Sequence, residues 1–337
     1  MKSNIPYSIL ELATVSQGET PGDSFEKALD LAQKAETAGY HRFWLAEHHN
    51  MKSIASSATS VLIGHIASGT KKIRVGSGGI MLPNHSPLII AEQFGTLGRL
   101  YPDRIDLGLG RAPGTDQTTA HAIRSDRMQS VYRFPDEVNQ IQQYFSADNE
   151  TSTVRATVAE GVNVPLYILG SSTDSAHLAA KNGLPYAFAS HFAPGQLMEA
   201  LSIYHNEFEP SEQLEEPYTI ACVNVIAADT NEEAEQLSTS LIKMMLGVMT
   251  NNIDYMQPPT AMTPDLKELA MSPAFQRMLK YAFIGDKADV KRKTKEFINA
   301  TQVDELMVVS HIYNHEARLK SYETFAEIMQ ELMSMEA

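Results

Sequence analysis

The sequence contains a single cysteine, Cys222, so no disulfide can form within the chain. One thiolate also cannot supply the two to four cysteine ligands of a typical structural zinc site. This scarcity excludes disulfide-stabilised scaffolds and cysteine-based zinc domains.

Basic residues and long apolar runs are also scarce. The chain has 27 lysines and arginines against 41 acidic residues, which gives a net charge of −14 and a pI of about 5.2. Such a chain repels nucleic acids and anionic membranes on average, so we expect neither as a partner. The N-terminal segment lacks the features of a secretory signal, and no apolar run reaches about 18 residues. We therefore expect a soluble, cytoplasmic protein.

The apolar residues that are present form alternating strand-like and helix-like segments. With 43% hydrophobic residues, the chain can fill a large core. Short apolar runs bounded by turn residues predict strands, and apolar positions at helical spacing follow each of them. The predicted strands cover residues 7–14, 42–46, 72–82, 104–109, 165–169, 186–190, 218–227 and 305–310. This α/β pattern predicts one domain over residues 1–337, a (β/α)8 (TIM) barrel, with a doubly wound open sheet as the alternative.

Two insertions interrupt the alternation, after the fourth and the seventh predicted strand. Residues 111–164 contain one predicted helix, at 126–145, and no convincing strand. Residues 250–283 contain four prolines and four methionines, a composition that suits an adaptable apolar cover. The second insertion is either a lid over the barrel mouth or a surface excursion that packs on itself.

Polar residues end the second predicted strand abruptly, in the sequence Arg-Phe-Trp-Leu-Ala-Glu-His-His-Asn at 42–50. In a parallel barrel, the carboxyl ends of the strands form the ligand-binding face. Glu47, His48 and His49 could serve there as ligands, as catalysts or as bystanders. Adjacent residues of a strand face opposite sides, which argues against one metal ion held by both histidines.

Three more polar residues end predicted strands and belong to the same face of the barrel. They are Glu11 on the first strand, His191 on the sixth and His311 on the eighth. Together with residues 47–49 they predict a mouth rich in imidazoles that titrate near neutral pH.

Glycine-rich stretches end the third and the fourth predicted strands. Glycine weakens a strand unless a backbone or a ligand approaches closely, so Gly78 and Gly79 indicate either a flat aromatic ligand or a barrel bulge. The stretch Gly-Leu-Gly-Arg-Ala-Pro-Gly at 108–114 matches a dinucleotide fingerprint only in part. Its third glycine is one residue late, and no acidic strand end follows about 20 residues on, which disfavours a Rossmann site.

Arg111 and the turn at residues 170–175 could bind an anion together. A guanidinium just beyond a strand end can hold a phosphate bidentately, although a surface salt bridge explains Arg111 equally well. The turn offers hydroxyls and the free N–H groups of a helix N-terminus, or else an ordinary N-cap. The two features would lie on adjacent barrel strands, which predicts a joint phosphate site.

Several motifs, in this order and spacing, resemble the bacterial luciferase-like monooxygenase family from the first strand to the last helix. They are Trp-Leu-Ala-Glu-His-His at 44–49, the stretch 76–83 followed by His-Ser-Pro at 85–87, Ala-Glu-Gln at 91–93, Gly-Leu-Gly-Arg at 108–111, the stretch 165–172 and Asp-Glu-Leu-Met-Val-Val at 304–309. Gly110 stands where the luciferases carry a reactive cysteine. The chain is therefore more similar to single-chain, non-luminescent members, and a long-chain aldehyde substrate is in doubt.

The resemblance implies roles for individual residues. His48 matches the active-site histidine near the flavin ring, and Gly78-Gly79 matches a dipeptide whose non-proline cis bond supports the isoalloxazine. Arg111 matches the arginine at the flavin phosphate. The phosphate-contacting turn corresponds to Ser171, Ser172 and Ser175. We assign four residues to the substrate pocket, Glu11, His49, His191 and His311.

The activity that the resemblance implies is flavin-dependent monooxygenation. Reduced FMN, supplied by a separate flavin reductase, would react with dioxygen to give a C4a-(hydro)peroxyflavin that oxidises a small organic substrate. His48 would act as an acid–base or as a hydrogen-bond donor to the peroxide. The family is usually dimeric, so we expect a homodimer, with the helices at 55–68 and 88–100 as a possible interface.

Three alternatives to this activity stay open. The family also contains deazaflavin (F420)-dependent hydride-transfer enzymes, which these motifs separate poorly from FMN enzymes. The second alternative is a flavin-binding protein without turnover, against which the intact His48 argues. The third is a metal-assisted barrel hydrolase built on Glu47, His48 and His49, whose ligand spacing is poor, so we expect no metal ion.

Overall fold

Strands and helices alternate along the computed structural model, which describes residues 4–334. The strands are β1 (Tyr7–Glu11), β2 (Arg42–Leu45), β3 (Arg74–Met81), β4 (Ile105–Gly110), β5 (Leu166–Gly170), β6 (Tyr186–Phe188), β7 (Thr219–Ala228), β8 (Ala282–Asp286) and β9 (Glu305–Val309). The helices are α1 (Pro21–Ala38), α2 (Thr59–Gly69), α3 (Pro87–Leu100), α4 (Gln117–Ile123), α5 (Arg127–Tyr132), α6 (Phe134–Phe145), α7 (Thr173–Lys181), α8 (Leu197–Glu207), α9 (Asn231–Met249), α10 (Pro264–Met271), α11 (Pro273–Met278), α12 (Lys287–Thr301) and α13 (His315–Ser334).

The first helix illustrates how local sequence sets these boundaries. The Thr20 hydroxyl accepts a hydrogen bond from the backbone N–H of Asp23, whose carboxylate accepts one from the Thr20 N–H in return. Gly39 ends α1 in the left-handed conformation, at φ 84°, which glycine adopts without a Cβ clash. These caps fix α1 between β1 and β2.

Eight of the nine strands close into a parallel barrel. From β1 to β7 each strand pairs with the next, and β9 pairs with both β7 and β1. The helices cover the outside of this cylinder and share with it one large apolar core. The predicted (β/α)8 barrel is confirmed. None of the helices within residues 4–334 is long and apolar enough to cross a membrane.

β8 is a ninth strand that the sequence analysis did not predict. β7 has ten residues, of which 219–221 pair with β6 and 224–228 pair with β8. The short run Ala-Phe-Ile-Gly-Asp therefore extends the sheet beyond the end of β6, outside the closed barrel. The sequence places the second insertion at residues 250–283, whereas in the structure it ends where β8 begins, at Ala282.

The first insertion forms three α-helices and not the single predicted helix at 126–145. α4 precedes that range, and α5 and α6 divide it at Arg133. Pro135 explains the division, because it has no N–H to donate and is tolerated only in the first turn of a helix, where it stands in α6.

The second insertion rests on the rim of the barrel mouth. Met256 exchanges backbone hydrogen bonds with the segment after β1, donating to the Val15 carbonyl at 3.0 Å and accepting from the Gln17 N–H at 2.9 Å. Phe275 of α11 is buried in a separate apolar cluster with Met245 of α9 and Ile312 beyond β9. The segment thus packs a small core of its own and also contacts the rim.

Side chains fill the barrel in layers, because every second residue of a strand points inward. Near the amino ends of the strands, buried Arg42 forms ion pairs with Asp106 and Glu305, each at 2.8 Å. An apolar layer follows two residues further along, with Trp44 on β2 and Met307 on β9. The next inward positions reach the mouth at the carboxyl ends of the strands.

Candidate functional site

Glu47, two residues after β2, is a buried carboxylate that joins the ends of β2 and β3. Its oxygens accept hydrogen bonds from His49 Nε2 at 2.9 Å, His85 Nε2 at 2.9 and 3.0 Å, Asn84 Nδ2 at 3.2 Å and the Met81 N–H at 3.0 Å. Burial raises the pKa of Glu47, but these bonds outweigh burial and hold its pKa at about 2. The Glu47 carboxylate thus links the ends of β2 and β3 through hydrogen bonds that use its lone pairs, and we call this arrangement the Glu47 brace.

His48 continues the inward-facing alternation of β2 beyond Trp44. Its Nδ1 lies 3.2 Å from the Gly114 carbonyl oxygen. Because a carbonyl only accepts, Nδ1 carries the proton and the lone pair of Nε2 is left to accept one. Burial lowers the pKa of His48 below its ordinary value of 6.5, although the bond to Gly114 opposes this shift. His48 is therefore a neutral proton acceptor at neutral pH, and it becomes a donor at Nε2 only after protonation.

Two further imidazoles, those of His191 and His311, belong to the same mouth. Burial lowers the pKa of both to about 3, and repulsion from His311 and His48 adds to the shift of His191. The expectation that these two titrate near neutral pH is therefore wrong, because their positive forms would be desolvated. Asn224 of β7 donates from Nδ2 to the His191 carbonyl at 2.6 Å. The sequence analysis did not single out Asn224. Because Asn224 lies two residues after inward-facing Cys222, its inward orientation could have been predicted.

Glu11 and His49, both assigned to the substrate pocket, form hydrogen bonds within the protein. Glu11 is fully buried, pairs with Arg318, and accepts from the Ala13 N–H at 2.7 Å. His49 is bonded to Glu47. These bonds give both residues a part in holding the rim, and contact with a substrate stays a prediction for them.

The glycines at the end of β3 lie where an added Cβ would come close to neighbouring atoms inside the barrel. A Cβ on Gly78 would lie 2.8 Å from Leu10 Cδ1, and a Cβ on Gly79 would lie 2.7 Å from the Gly108 carbonyl oxygen. The register between β3 and β4 shifts at the same point, and the Gly78–Gly79 peptide bond is cis. The close approach to the Gly108 backbone accounts for glycine at position 79, and contact of Gly78 and Gly79 with a flavin stays a prediction.

Arg111 and the turn before α7 lie together, as expected for the ends of adjacent strands. Arg111 Nη2 lies 2.8 Å from Asp174 Oδ2 in the first turn of α7, and the side chains are 45% and 65% exposed. Ser171 precedes the N-cap residue Ser172, whose hydroxyl makes no capping bond. The Ser175 hydroxyl instead donates to the Ser172 carbonyl at 2.8 Å. A cation and the N–H groups of a helix N-terminus thus share one side of the mouth.

Metal chemistry receives no support from this arrangement. Within residues 4–334, no three or more histidine, cysteine, aspartate or glutamate side chains are grouped so that they could hold a metal ion. Glu47 and His49 are bonded to each other, whereas His48 is bonded to the Gly114 carbonyl.

The sequence analysis assigned no role to His85, Asn84 or Gly114. His85 lies 38 residues from the carboxylate that it contacts, and Gly114 lies 66 residues from His48. Only the fold brings these groups together. The sequence feature that could have indicated a role for His85 was the His-Ser-Pro motif at 85–87, which closely follows the glycine-rich strand.

Comparison with known proteins gives a consistent result. The model of a family described as luciferase-like monooxygenase matches residues 6–325. A luciferase-like monooxygenase of Escherichia coli (strain K12) is 46% identical, over 98% of each chain. The N-acetyl-S-alkylcysteine monooxygenase of Bacillus subtilis is 39% identical, over 72% of this chain and 74% of that protein.

Solved structures share the same barrel. Apo-MsnO8 superposes with a TM-score of 0.88 at 33% identity, over 97% of this chain and 99% of that one. Two more distant structures show the fold alone. The oxygenating constituent of 3,6-diketocamphane monooxygenase from Pseudomonas putida, in complex with FMN, has a TM-score of 0.73 at 14% identity and covers 96% and 97% of the chains. An F420-dependent secondary alcohol dehydrogenase has a TM-score of 0.70 at 13% identity and covers 97% and 99%. With a family model that matches nearly its whole length, this chain belongs to the luciferase-like monooxygenase family.

Proposed function

We propose that this protein is a monooxygenase that uses reduced FMN and dioxygen to oxidise a small organic molecule. The observation that carries the proposal is a single barrel mouth that combines proton-accepting His48 with a cationic site at Arg111. Two comparisons support it. One relative is named as a monooxygenase of N-acetyl-S-alkylcysteine, and one protein of the same fold has been solved with FMN.

The donors at the ends of β4 and β5 suit the phosphate of FMN. Arg111 supplies a guanidinium for bidentate contact, and the first turn of α7 supplies N–H groups and the positive end of the helix dipole. Ser171 and Ser172 add hydroxyls, whereas the Ser175 hydroxyl is bonded to the Ser172 carbonyl, which leaves its backbone N–H. This donor set fits a dianionic phosphate.

The chain's own contribution to the chemistry centres on one proton. Reduced FMN, when bound, supplies the electrons that activate dioxygen. His48 Nε2 accepts a proton from the reacting molecule and can return it, while the Gly114 carbonyl stabilises the imidazolium through Nδ1–H. The Glu47 brace fixes the strand end that carries His48. The second insertion, through Met256 and Phe275, covers part of the rim and limits access of water.

We further propose that a separate reductase supplies the reduced flavin. Within residues 4–334 every named strand belongs to the sheet of the barrel, which leaves no second sheet there for a nicotinamide cofactor. F420 is the alternative cofactor, because a dehydrogenase of this fold uses it. A flavin-binding protein without turnover is a further outcome that the tests below distinguish.

Replacing Arg111 with alanine is expected to weaken FMN binding by about 1.5–3 kcal/mol, the value of a hydrogen bond to a charged group. The barrel should stay intact, because the ion pair of Arg111 with Asp174 lies at the surface. Titration of FMN followed by flavin absorbance gives the dissociation constant. Arg292→Ala is a matched control, since Arg292 is an exposed arginine of α12 with acidic partners of its own.

Replacing Asp174 is expected to change the affinity for FMN in the opposite direction to Arg111→Ala. Its carboxylate competes with a phosphate for Arg111 and also repels the phosphate. Asp174→Asn should therefore tighten FMN binding, with little loss of stability, since an exposed ion pair contributes about 0–1 kcal/mol. If Arg111→Ala and Asp174→Asn both leave the FMN affinity unchanged, the phosphate site is misplaced.

We also propose that the protein is a homodimer. Val61 on α2 and Ile89 and Leu100 on α3 are exposed apolar side chains on two helices that contact each other. Sedimentation velocity should give twice the chain mass of 37.2 kDa, and Val61→Glu should shift the population to the monomer. A monomer for the unsubstituted protein at micromolar concentration contradicts the proposal.

A further inference from the structure

A short loop after β4, residues 113–115, supplies the hydrogen-bond partner of His48. The Gly114 carbonyl faces His48 Nδ1 at 3.2 Å and also accepts from the His49 backbone N–H at 3.2 Å. Gly114 is half-buried and adopts the left-handed conformation, at φ 65°. A Cβ on Gly114 would lie 2.7 Å from the Glu47 carbonyl oxygen. The loop therefore lies directly against the end of β2.

Asn84 holds this loop from one side. β3 separates β2 from β4 in the sheet, so the loop crosses the end of β3 to reach His48. Asn84 is buried in the short 3₁₀ turn that follows β3. Its Nδ2 group, which carries two hydrogens, donates to the Pro113 carbonyl at 3.0 Å and to Glu47 Oε1 at 3.2 Å. One side chain thus joins the segments that follow three neighbouring strands.

Thr115 holds the loop from the other side. Its hydroxyl donates to the His49 carbonyl at 2.9 Å. Pro113 and Thr115 are the two chain neighbours of Gly114, so the bonds made by Asn84 and by Thr115 flank the carbonyl that His48 contacts. The position of this carbonyl therefore depends on two side chains that do not themselves contact the His48 ring through a hydrogen bond.

The position of the Gly114 carbonyl decides which nitrogen of His48 accepts a proton. A neutral imidazole carries one ring proton, and the hydrogen bond made by one nitrogen fixes the lone pair on the other. With the carbonyl at Nδ1, the lone pair is on Nε2. If the loop moved away, the ring proton would no longer be held at Nδ1, and the tautomer with the proton on Nε2 would become populated. That tautomer has no lone pair on Nε2.

We propose that Asn84 and Thr115 are positioning residues, which hold the Gly114 carbonyl on His48 Nδ1 and so keep the lone pair of the ring on Nε2. Both act through the loop at 113–115 and not on the reacting molecule. The catalytic meaning of the inference rests on the proposed function, in which Nε2 is the proton acceptor. The arrangement that it assigns to the two side chains is tested without that function.

Nitrogen-15 NMR of the histidine-labelled protein tests the proposal without flavin or substrate. The chemical shifts of the two ring nitrogens report the tautomer, and the spectrum of His48→Ala identifies the signals of His48. At about pH 8.5, well above the ordinary pKa of histidine, we expect the Nδ1–H tautomer to dominate in the unsubstituted protein. Asn84→Leu and Thr115→Val should each lower the ratio of the Nδ1–H to the Nε2–H tautomer by about fivefold, roughly the loss of one hydrogen bond.

Matched variants separate the hydrogen bonds from packing. Thr115→Ser keeps the hydroxyl and should keep the tautomer ratio of the unsubstituted protein, whereas Thr115→Val keeps the shape and should lose it. Asn182→Leu and Thr37→Val are the controls, because each of these residues donates to a backbone carbonyl of its own helix, α7 and α1. Neither control should change the signals of His48. Thr115 is partly exposed in a loop, so its variants keep the test valid if Asn84→Leu does not fold.

The outcomes distinguish this proposal from the proposed function. A predominant Nε2–H tautomer of His48 in the unsubstituted protein overturns the proposal, and so does an unchanged ratio in both Asn84→Leu and Thr115→Val. An equal loss in Thr115→Ser and Thr115→Val overturns the role of the Thr115 hydroxyl. The expected ratios in a protein that does not bind FMN support the positioning residues and contradict the proposed function. FMN binding with unchanged ratios contradicts the positioning residues alone.

Discussion

Replacing His48 with alanine is expected to lower the rate of substrate oxygenation by about 10²- to 10⁴-fold, the usual contribution of a general acid–base. The imidazole is fixed by the bond from Nδ1 to the Gly114 carbonyl, and its Nε2 is the proton acceptor that alanine removes. FMN binding should persist, because the proposed phosphate site belongs to other strands. Product formation with reduced FMN, measured beside the FMN dissociation constant, separates the two effects.

The pH profile gives a readout that a purely structural role for His48 would not produce. Burial lowers the pKa of His48 below 6.5, and only the neutral form can accept a proton at Nε2. The value of kcat/KM should therefore rise with pH through a midpoint below 6.5 and then level off. His48→Ala should lose this ascending limb.

His177→Ala is the matched control for the His48 substitution. His177 is an exposed histidine of α7 that pairs with Glu207, and it should affect neither the rate nor the pH profile. If His48→Ala oxygenates as fast as the unsubstituted protein, the proton acceptor has been assigned to the wrong residue.

Replacing Arg42 with methionine is expected to destabilise the protein by about 3–5 kcal/mol, the cost of removing one partner from a buried ion pair. Arg42 is buried between Asp106 and Glu305, and it also donates to the Tyr167 hydroxyl at 2.8 Å. Burial raises the pKa of Asp106, but Arg42 and Arg74 outweigh it and keep this carboxyl ionised. Methionine would fill much of the space and leave Glu305 as a buried negative charge without its cation.

Urea unfolding followed by circular dichroism measures the loss of stability at Arg42. The double variant Arg42→Met with Glu305→Met removes both charges and should be less destabilised than Arg42→Met alone. Arg292→Met, at an exposed position of α12, should cost little. A loss below about 1 kcal/mol in Arg42→Met, the level of an exposed ion pair, would show that the network is not a stabilising part of the barrel.

The barrel could be predicted because its strands are short apolar runs that alternate with helices, a pattern that is local in the sequence. β8 escaped prediction because its five residues follow directly on a segment rich in proline and methionine. Their role depends on β7 being long enough to pair with β8 beyond the end of β6. The length of β7 could be read from the sequence, but its pairing with an additional strand could not.

Some features of the candidate site could likewise be predicted from the sequence, and others could not. The position of His48 at the mouth and the proximity of Arg111 to the 170–175 turn follow from strand ends, which a sequence can indicate, whereas the catalytic role of His48 stays a prediction. The brace at Glu47 could not be predicted, because its partner His85 comes from a loop 38 residues away. The low pKa of His191 and His311 also escaped, since burial depends on the packing of the whole mouth.

Titration of FMN and of F420 into the protein, followed by absorbance, tests the central proposal most directly. The account predicts saturable binding of one FMN per chain, weaker binding in Arg111→Ala, and no preference for F420. Absence of saturable FMN binding, or tighter binding of F420 than of FMN, would contradict it.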